Sequence, residues 1–306
     1  VFGLGLAALS TSLGQIILPM RVIDLFPESL KNTYLGTLAF SGVATAMVIQ
    51  PVIGYLSDKT TIKWGKRRPY IGMGTIIAAA TVIIIGLTES FATLMIAVVV
   101  VQTGVNIAQN PYDAIVKDIV PYNQRGKVAS TRAVAGAIGA ISFVLITGIL
   151  MDNHTSHKQD VWLWVTLSSP AAMMVITMIW TVCTLREKLE STKFKTTSSL
   201  DREPLEAAHP KLLPILLAGF FFTLAGGILQ TYTLFFLRDV VMLDNPASAV
   251  GILAIAVGST ILVSLYPAGL LADMIGRRQM MVSAAALGGA GTILFFFAQT
   301  IFHILI

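Results

Sequence analysis

Apolar runs of about 20 residues recur along the whole of this 306-residue chain, and a helix of that length crosses a hydrocarbon core of ~30 Å. In lipid the backbone must satisfy its own polar groups, so a chain written this way folds as a bundle of transmembrane helices. Charged residues make up only 12% of the sequence, against roughly 25% in a soluble domain, too few to coat a soluble body of this size. The expected class is therefore all-α and integral to a membrane.

Windows of about 19 residues place spans near 2–25, 34–57, 70–88, 91–112, 131–151, 161–185, 212–237, 249–272 and 280–302. With alternating direction, the loops at 58–69, 113–132, 186–211 and 273–279 share one side of the membrane, and they hold 17 of the 21 Lys and Arg residues. Excess positive charge marks cytoplasmic loops, so that side is expected to be cytoplasmic, in a plasma or cell inner membrane. The basic residues thus have a topological use, and nucleic acid is not an expected partner. The lone Cys183 lies inside an apolar span, which leaves no disulfide framework, and no metal or other cofactor is expected.

The segment 186–211 is long, charged and rich in Ser and Thr, and it divides the chain into an N-terminal six-span part (1–185), a cytoplasmic central loop (186–211) and a three-span part (212–306). A repeat crosses that boundary. Gly54-Tyr-Leu-Ser-Asp58 closes the second span and Gly269-Leu-Leu-Ala-Asp273 closes the eighth. Gly65-Lys66-Arg67-Arg68 follows the first copy and Gly276-Arg277-Arg278 the second. A glycine near a helix end permits close helix approach, and an Asp four residues on shares its face, free to meet a neighbouring helix N-terminus or a cation. The basic cluster stays outside the bilayer and suits a latch on one conformation of a rocking bundle. The alternative is a merely topogenic charge cluster. Two halves of one design imply six spans each. Val1 and Ile306 both lie within apolar stretches, and the expectation is a portion of a longer protein whose last three spans are missing.

These motifs resemble the signature of the major facilitator superfamily, G-x-x-x-D-[RK]-x-G-[RK]-[RK] between the second and third helices with an echo between the eighth and ninth. The resemblance implies a bundle of two pseudo-symmetric six-helix halves, of which about nine helices are present. The first copy, with Asp58-Lys59 followed by Gly65-Lys66-Arg67-Arg68-Pro69, carries four extra residues between Asp and Gly, and the second has Met274 where a base is usual. The longer loop is similar to the sucrose-transporter and glycoside-pentoside-hexuronide:cation symporter branch, as is the stretch from Asn110-Pro111-Tyr112-Asp113 through Asp118 and Pro121 to Arg125-Gly126. That branch implies a sugar or glycoside moved with a proton or sodium ion. Its sodium-coupled members place carboxylates in the second helix, and residues 34–57 contain none, so proton symport and uncoupled transport both stay open.

Polar groups inside spans are costly unless they meet partners or water, which makes each a candidate. In the fourth span Asn106, Gln109, Asn110 and Asp113 recur at helical spacing. Amides both donate and accept, as sugar hydroxyls require; the competing reading is bonding between helices that only holds the bundle together. Gln15 and Gln230 are isolated amides in the first and seventh spans, and the resemblance places those helices and the fourth around a central cavity. Asp113 is the candidate coupling-ion site, although Lys117 or Arg132 could equally pair with it. Asp118 and Arg125 are expected either as an ion-pair gate or as a solvated loop. The small residues of the fifth span, Ala133 to Ala140, suit tight packing. His154 and His157 read as surface residues, not a metal site.

The expected function is secondary transport of a small solute by alternating access, with the solute between the halves. A uniporter or exporter of another metabolite, or a non-transporting receptor, are the alternatives. Nothing in the sequence points to an enzyme: it has no Gly-x-Ser-x-Gly and no paired carboxylates within a span.

Overall fold

The computed structural model describes residues 1–60, 62, 64–121, 124–157, 159–185 and 212–296. These residues form nine helical rods without a strand among them: α1 (Phe2–Leu25), α2 (Lys31–Lys59), α3 (Arg68–Gly86), α4 (Phe91–Ile119), α5 (Arg125–His157), α6 (Asp160–Thr184), α7 (Leu212–Asp239), α8 (Pro246–Ile275) and α9 (Arg277–Phe296). Each corresponds to one expected span, and seven are long and apolar enough to cross a membrane. Several run on past the apolar stretch into their charged ends, α5 most of all, because backbone hydrogen bonding continues where hydropathy stops. The proposed central loop, 186–211, lies outside the described residues.

Short connections reverse the chain between rods and give the bundle two ends. The Arg67 end carries the turns α2–α3, α4–α5 and α8–α9; the Lys31 end carries α1–α2, α3–α4, α5–α6 and α7–α8. Within the first six helices α1 is central and packs on α5 and α6, α3 on α4 and α6, and α2 on α4. Phe2, Leu9, Ile16, Leu38, Ile85, Leu94 and Leu167 fill the space between them. The small-residue face of α5 meets α1 at Gly136 and Gly139, as expected. Further along, α5 docks on α8 so closely that a Cβ on Gly148 would lie 2.4 Å from the Ala247 carbonyl oxygen. Large apolar side chains such as Phe40, Met47, Ile96 and Phe222 stay exposed, a surface suited to lipid.

Three local features shape the site. Pro19 has no N–H for the carbonyl of Gln15 four residues back, and α1 relaxes into a π turn over Leu13–Ile17 just before it. Buried Arg21 donates to the carbonyls of Thr88 (2.8 Å) and Gly86 (3.4 Å), a cation at the C-terminus of α3. Gly65 and Gly276, the equivalent glycines of the two motif copies, have φ of +107° and +89°, conformations that glycine adopts without steric cost. Each copy of the sequence repeat thus carries a glycine of positive φ.

Candidate functional site

At the Arg67 end, Pro69 sits in the first turn of α3, where its missing N–H costs nothing, and Arg67 precedes it as the N-cap. Arg67 is buried to 5% exposure, and its guanidinium binds three groups on two other helices. It donates to Asp58 Oδ1 (2.7 Å) and Ser57 Oγ (2.6 Å) of α2 and to Asp118 Oδ2 (2.9 Å) of α4. The rigid fork of an arginine suits this divergent set. The expected pairing of Asp118 with Arg125 is replaced: Asp118 faces Arg67, while Arg125 donates to the Val120 carbonyl at the end of α4 (3.2 Å). The nearer residue in sequence loses to a partner 51 residues away because Arg67, at the start of α3, lies beside the ends of both α2 and α4. Lys59 reaches the Tyr55 hydroxyl, and Lys66 and Arg68 are also engaged.

Gly54 has a different use from the one expected. A Cβ there would meet nothing within 4 Å, so it marks no close helix approach and instead lines an open cleft of about 330 Å³ with Gln50, Asp58, Arg67, Asn110, Ala114 and Asp118. In the second copy, the side chains of Gly269, Asp273, Arg277 and Arg278 lie outside the described residues.

Deeper in the cleft the polar stripe of α4 divides. Asn106, 4% exposed, uses both ends of its amide: Nδ2 donates to the Gln102 carbonyl (2.7 Å) and Oδ1 accepts from Gln50 Nε2 (3.0 Å). Asn110 Nδ2 donates to the Gln50 carbonyl (2.7 Å). These two asparagines therefore hold α4 to α2. Gln109 and Gln15, both half-buried, and exposed Gln230 have no bonding partner among the described residues, which leaves their amides uncommitted. Gln15 rides on the π turn of α1, which packs against α5, α7 and α8. Gln50 and Gln102 were not singled out from sequence; the signal available was that Gln50-Pro51 repeats the amide-proline step of Asn110-Pro111.

Asp113 takes Arg132 of α5 as its partner. The Arg132 guanidinium also lies 4.0 Å from the ring centre of Tyr112, whose hydroxyl accepts from the Gly3 N–H of α1 (3.1 Å). Three helices thus meet at this carboxylate.

The Lys31 end holds a second charged network, unread in the sequence. Lys31 Nζ contacts Glu28 (2.5 Å) and Asp239 (2.6 Å), and Arg238 contacts Glu28 (2.8 Å). The hydrogen bond from Lys31 holds the exposed Glu28 carboxyl below its usual range. Tyr232 donates to the Asn32 carbonyl (3.0 Å). Nearby, buried Asp152 of α5 caps the start of α8, accepting from the N–H groups of Ala247 (3.2 Å) and Ser248 (2.7 Å) and from the Ser248 hydroxyl. A carboxylate at a helix N-terminus is favoured by the helix dipole. Among the described residues, the hydrogen bonds and ion pairs joining α1–α6 to α7–α9 lie at this end. No group of three His, Cys, Asp or Glu that could hold a metal occurs among the described residues.

A profile of the family described as MFS/sugar transport protein matches residues 3–306. A sucrose transport protein of Oryza sativa subsp. japonica is 34% identical over 100 residues, which is 28% of this chain and 19% of that protein. The lactose permease of Lactobacillus helveticus is 26% identical over 238 residues, 70% of this chain and 37% of the permease. The chain thus matches well under half the length of these relatives. Among solved structures, a D-xylose-proton symporter superposes with a TM-score of 0.66 at 15% identity, covering 99% of this chain and 76% of that one, a likeness of fold.

Proposed function

The chain belongs to the MFS/sugar transport protein family, and from that membership we propose that this integral membrane protein moves a sugar or glycoside across the bilayer by alternating access, in symport with a proton. The domains in this reading are an N-terminal half (1–185), a cytoplasmic linker (186–211) and the start of a C-terminal half (212–306), with the Arg67 end facing the cytoplasm. The observation that carries it is the asymmetry of the two ends. Among the described residues, the hydrogen bonds and ion pairs that join the halves all lie at the Lys31 end. Fastening at one end alone fits a transporter closed on that side and free to open on the other.

Gln15, Gln109 and Gln230, with uncommitted amides on α1, α4 and α7, offer contacts to hydroxyl groups. The names of the sucrose and lactose relatives support a sugar as cargo. In this reading the cytoplasmic gate is carried by the two motif copies, Gly54, Lys59, Gly65, Lys66, Arg68 and Arg125 in the first half and Gly269, Asp273, Gly276, Arg277 and Arg278 in the second, with Arg67, Asp58 and Asp118 tying α2, α3 and α4 into one moving unit of it. Asp113 is the coupling site: bound to Arg132, it exchanges that partner for a proton when the solute enters.

The test is uptake of labelled sucrose, lactose or xylose by vesicles carrying the full-length protein, with proton or sodium gradients imposed. Accumulation driven by protons is expected, with Asp113→Asn losing accumulation but keeping exchange of internal for external sugar. Uptake that only equilibrates turns the reading to uniport, and no uptake of any sugar overturns it.

A further inference from the structure

Two helices that border the cleft are weakened at the same depth. Pro51 in α2 and Pro111 in α4 each remove one helical hydrogen bond and leave a point where the rod bends easily. The residue before each proline is an amide, and the two amides are bonded across the gap. Gln50 sends its side chain to Asn106 and receives Asn110 on its carbonyl. One and two turns beyond Gln50 on the same face of α2 come Gly54 and Asp58; one and two turns beyond Asn110 on α4 come Ala114 and Asp118. All six line the cleft. The α2–α4 seam is therefore fastened twice, by neutral amides inside the bundle and by Arg67 and its carboxylates at the end.

We propose that Gln50 is a positioning residue for the transported solute: by clasping α4 to α2 at their paired proline bends, it sets the register at which Gln109 meets a sugar hydroxyl. This rests on the sugar-transport reading above. Gln109, adjacent to Asn110 and half-buried with its amide uncommitted, is the group so presented, whereas Asn106 is spent on the clasp. A neutral clasp has a physical reason. It holds through a change in local charge when an ion binds, and it yields to bending of either helix at the cost of two hydrogen bonds, without exposing an uncompensated charge.

The experiment uses the full-length protein in vesicles, with the sugar that the wild type accumulates. Gln50→Met, close in volume but unable to hydrogen-bond, is expected to raise KM at least tenfold with Vmax within threefold. Asn106→Leu is expected to behave alike, and the double variant to be no worse than the worse single, since both act through one contact. A KM within twofold of wild type in Gln50→Met, or effects that multiply in the double variant, overturns the proposal. An independent arm needs no sugar. In an otherwise cysteine-free chain, maleimide labelling of Ala114→Cys is expected to quicken at least threefold when Gln50→Met opens the seam, and an unchanged rate also overturns the clasp. If the wild type takes up no sugar, the transport reading fails by itself, and the labelling arm still decides whether Gln50 joins the two helices.

Discussion

At the Arg67 end the ion pairs among the described residues come from helices of one half, α2, α3, α4 and α5. At the Lys31 end they come from both halves, with Glu28 and Lys31 on one side and Arg238 and Asp239 on the other. The first network can persist through a rocking motion of the halves, because its members move together. The second cannot, since separating the halves at that end pulls Lys31 from Asp239 and Asp152 from the start of α8. A brace and a latch are thus made from the same residue types, and what distinguishes them is which rigid body each partner rides on.

Removing the brace is expected to have the largest effect. Arg67→Ala deletes three bonds to a buried guanidinium and leaves Asp58 and Asp118 facing each other, which should cost on the order of 2 kcal/mol in stability and reduce initial uptake at least tenfold. Arg67→Lys should recover little, because a single ammonium cannot span the same three partners. Thermal unfolding in detergent and initial rates in vesicles check both, and a variant that transports normally would remove the distinction between the ends.

Breaking the latch is expected to be milder and of another kind. Asp152→Ala strips a capping carboxylate from α8 at a cost of about 1 kcal/mol, shifting the balance of conformers roughly fivefold toward opening of the Lys31 end. Spin labels at Thr155→Cys and Asp244→Cys, both exposed at that end, should report longer distances in the variant. Unchanged distances would show that the other contacts hold the halves alone.

The smallest effect concerns pH. Because Lys31 and, from the other half, Arg238 depress the Glu28 carboxyl, the stability these contacts add is fully present above the ordinary carboxylate value and is lost as pH falls through the lowered one. Acidification should therefore lengthen the same spin-label distances, and Glu28→Gln should flatten the response. Glu28 is 62% exposed, so solvent screening keeps the change small.

The contrast also explains what could be read from sequence. Spans were legible because hydropathy is a local property, and the brace was partly legible because Asp58 and Arg67 belong to one short motif. Its third member was not: spacing leaves Asp118 either paired with Arg125 or in a solvated loop, and only the packing of α4 against α2, beside the start of α3, brings it to Arg67. The latch joins Lys31 to Asp239 and Asp152 to Ser248 across roughly 100 to 200 residues, a separation over which sequence spacing carries no geometry. Gln50 was passed over for a different reason, since one amide in a long apolar helix has no pattern until its partner helix is laid beside it.

The two left-handed glycines carry a historical consequence. Gly65 and Gly276 take the same uncommon sign of φ at corresponding places in segments that otherwise share few residues. Side chains drift freely under selection for greasiness, but a turn of that hand restricts its site to glycine, so it outlasts the surrounding letters. Such a pair is what duplication of one hairpin would leave behind, a mark kept in backbone handedness where the spelling differs.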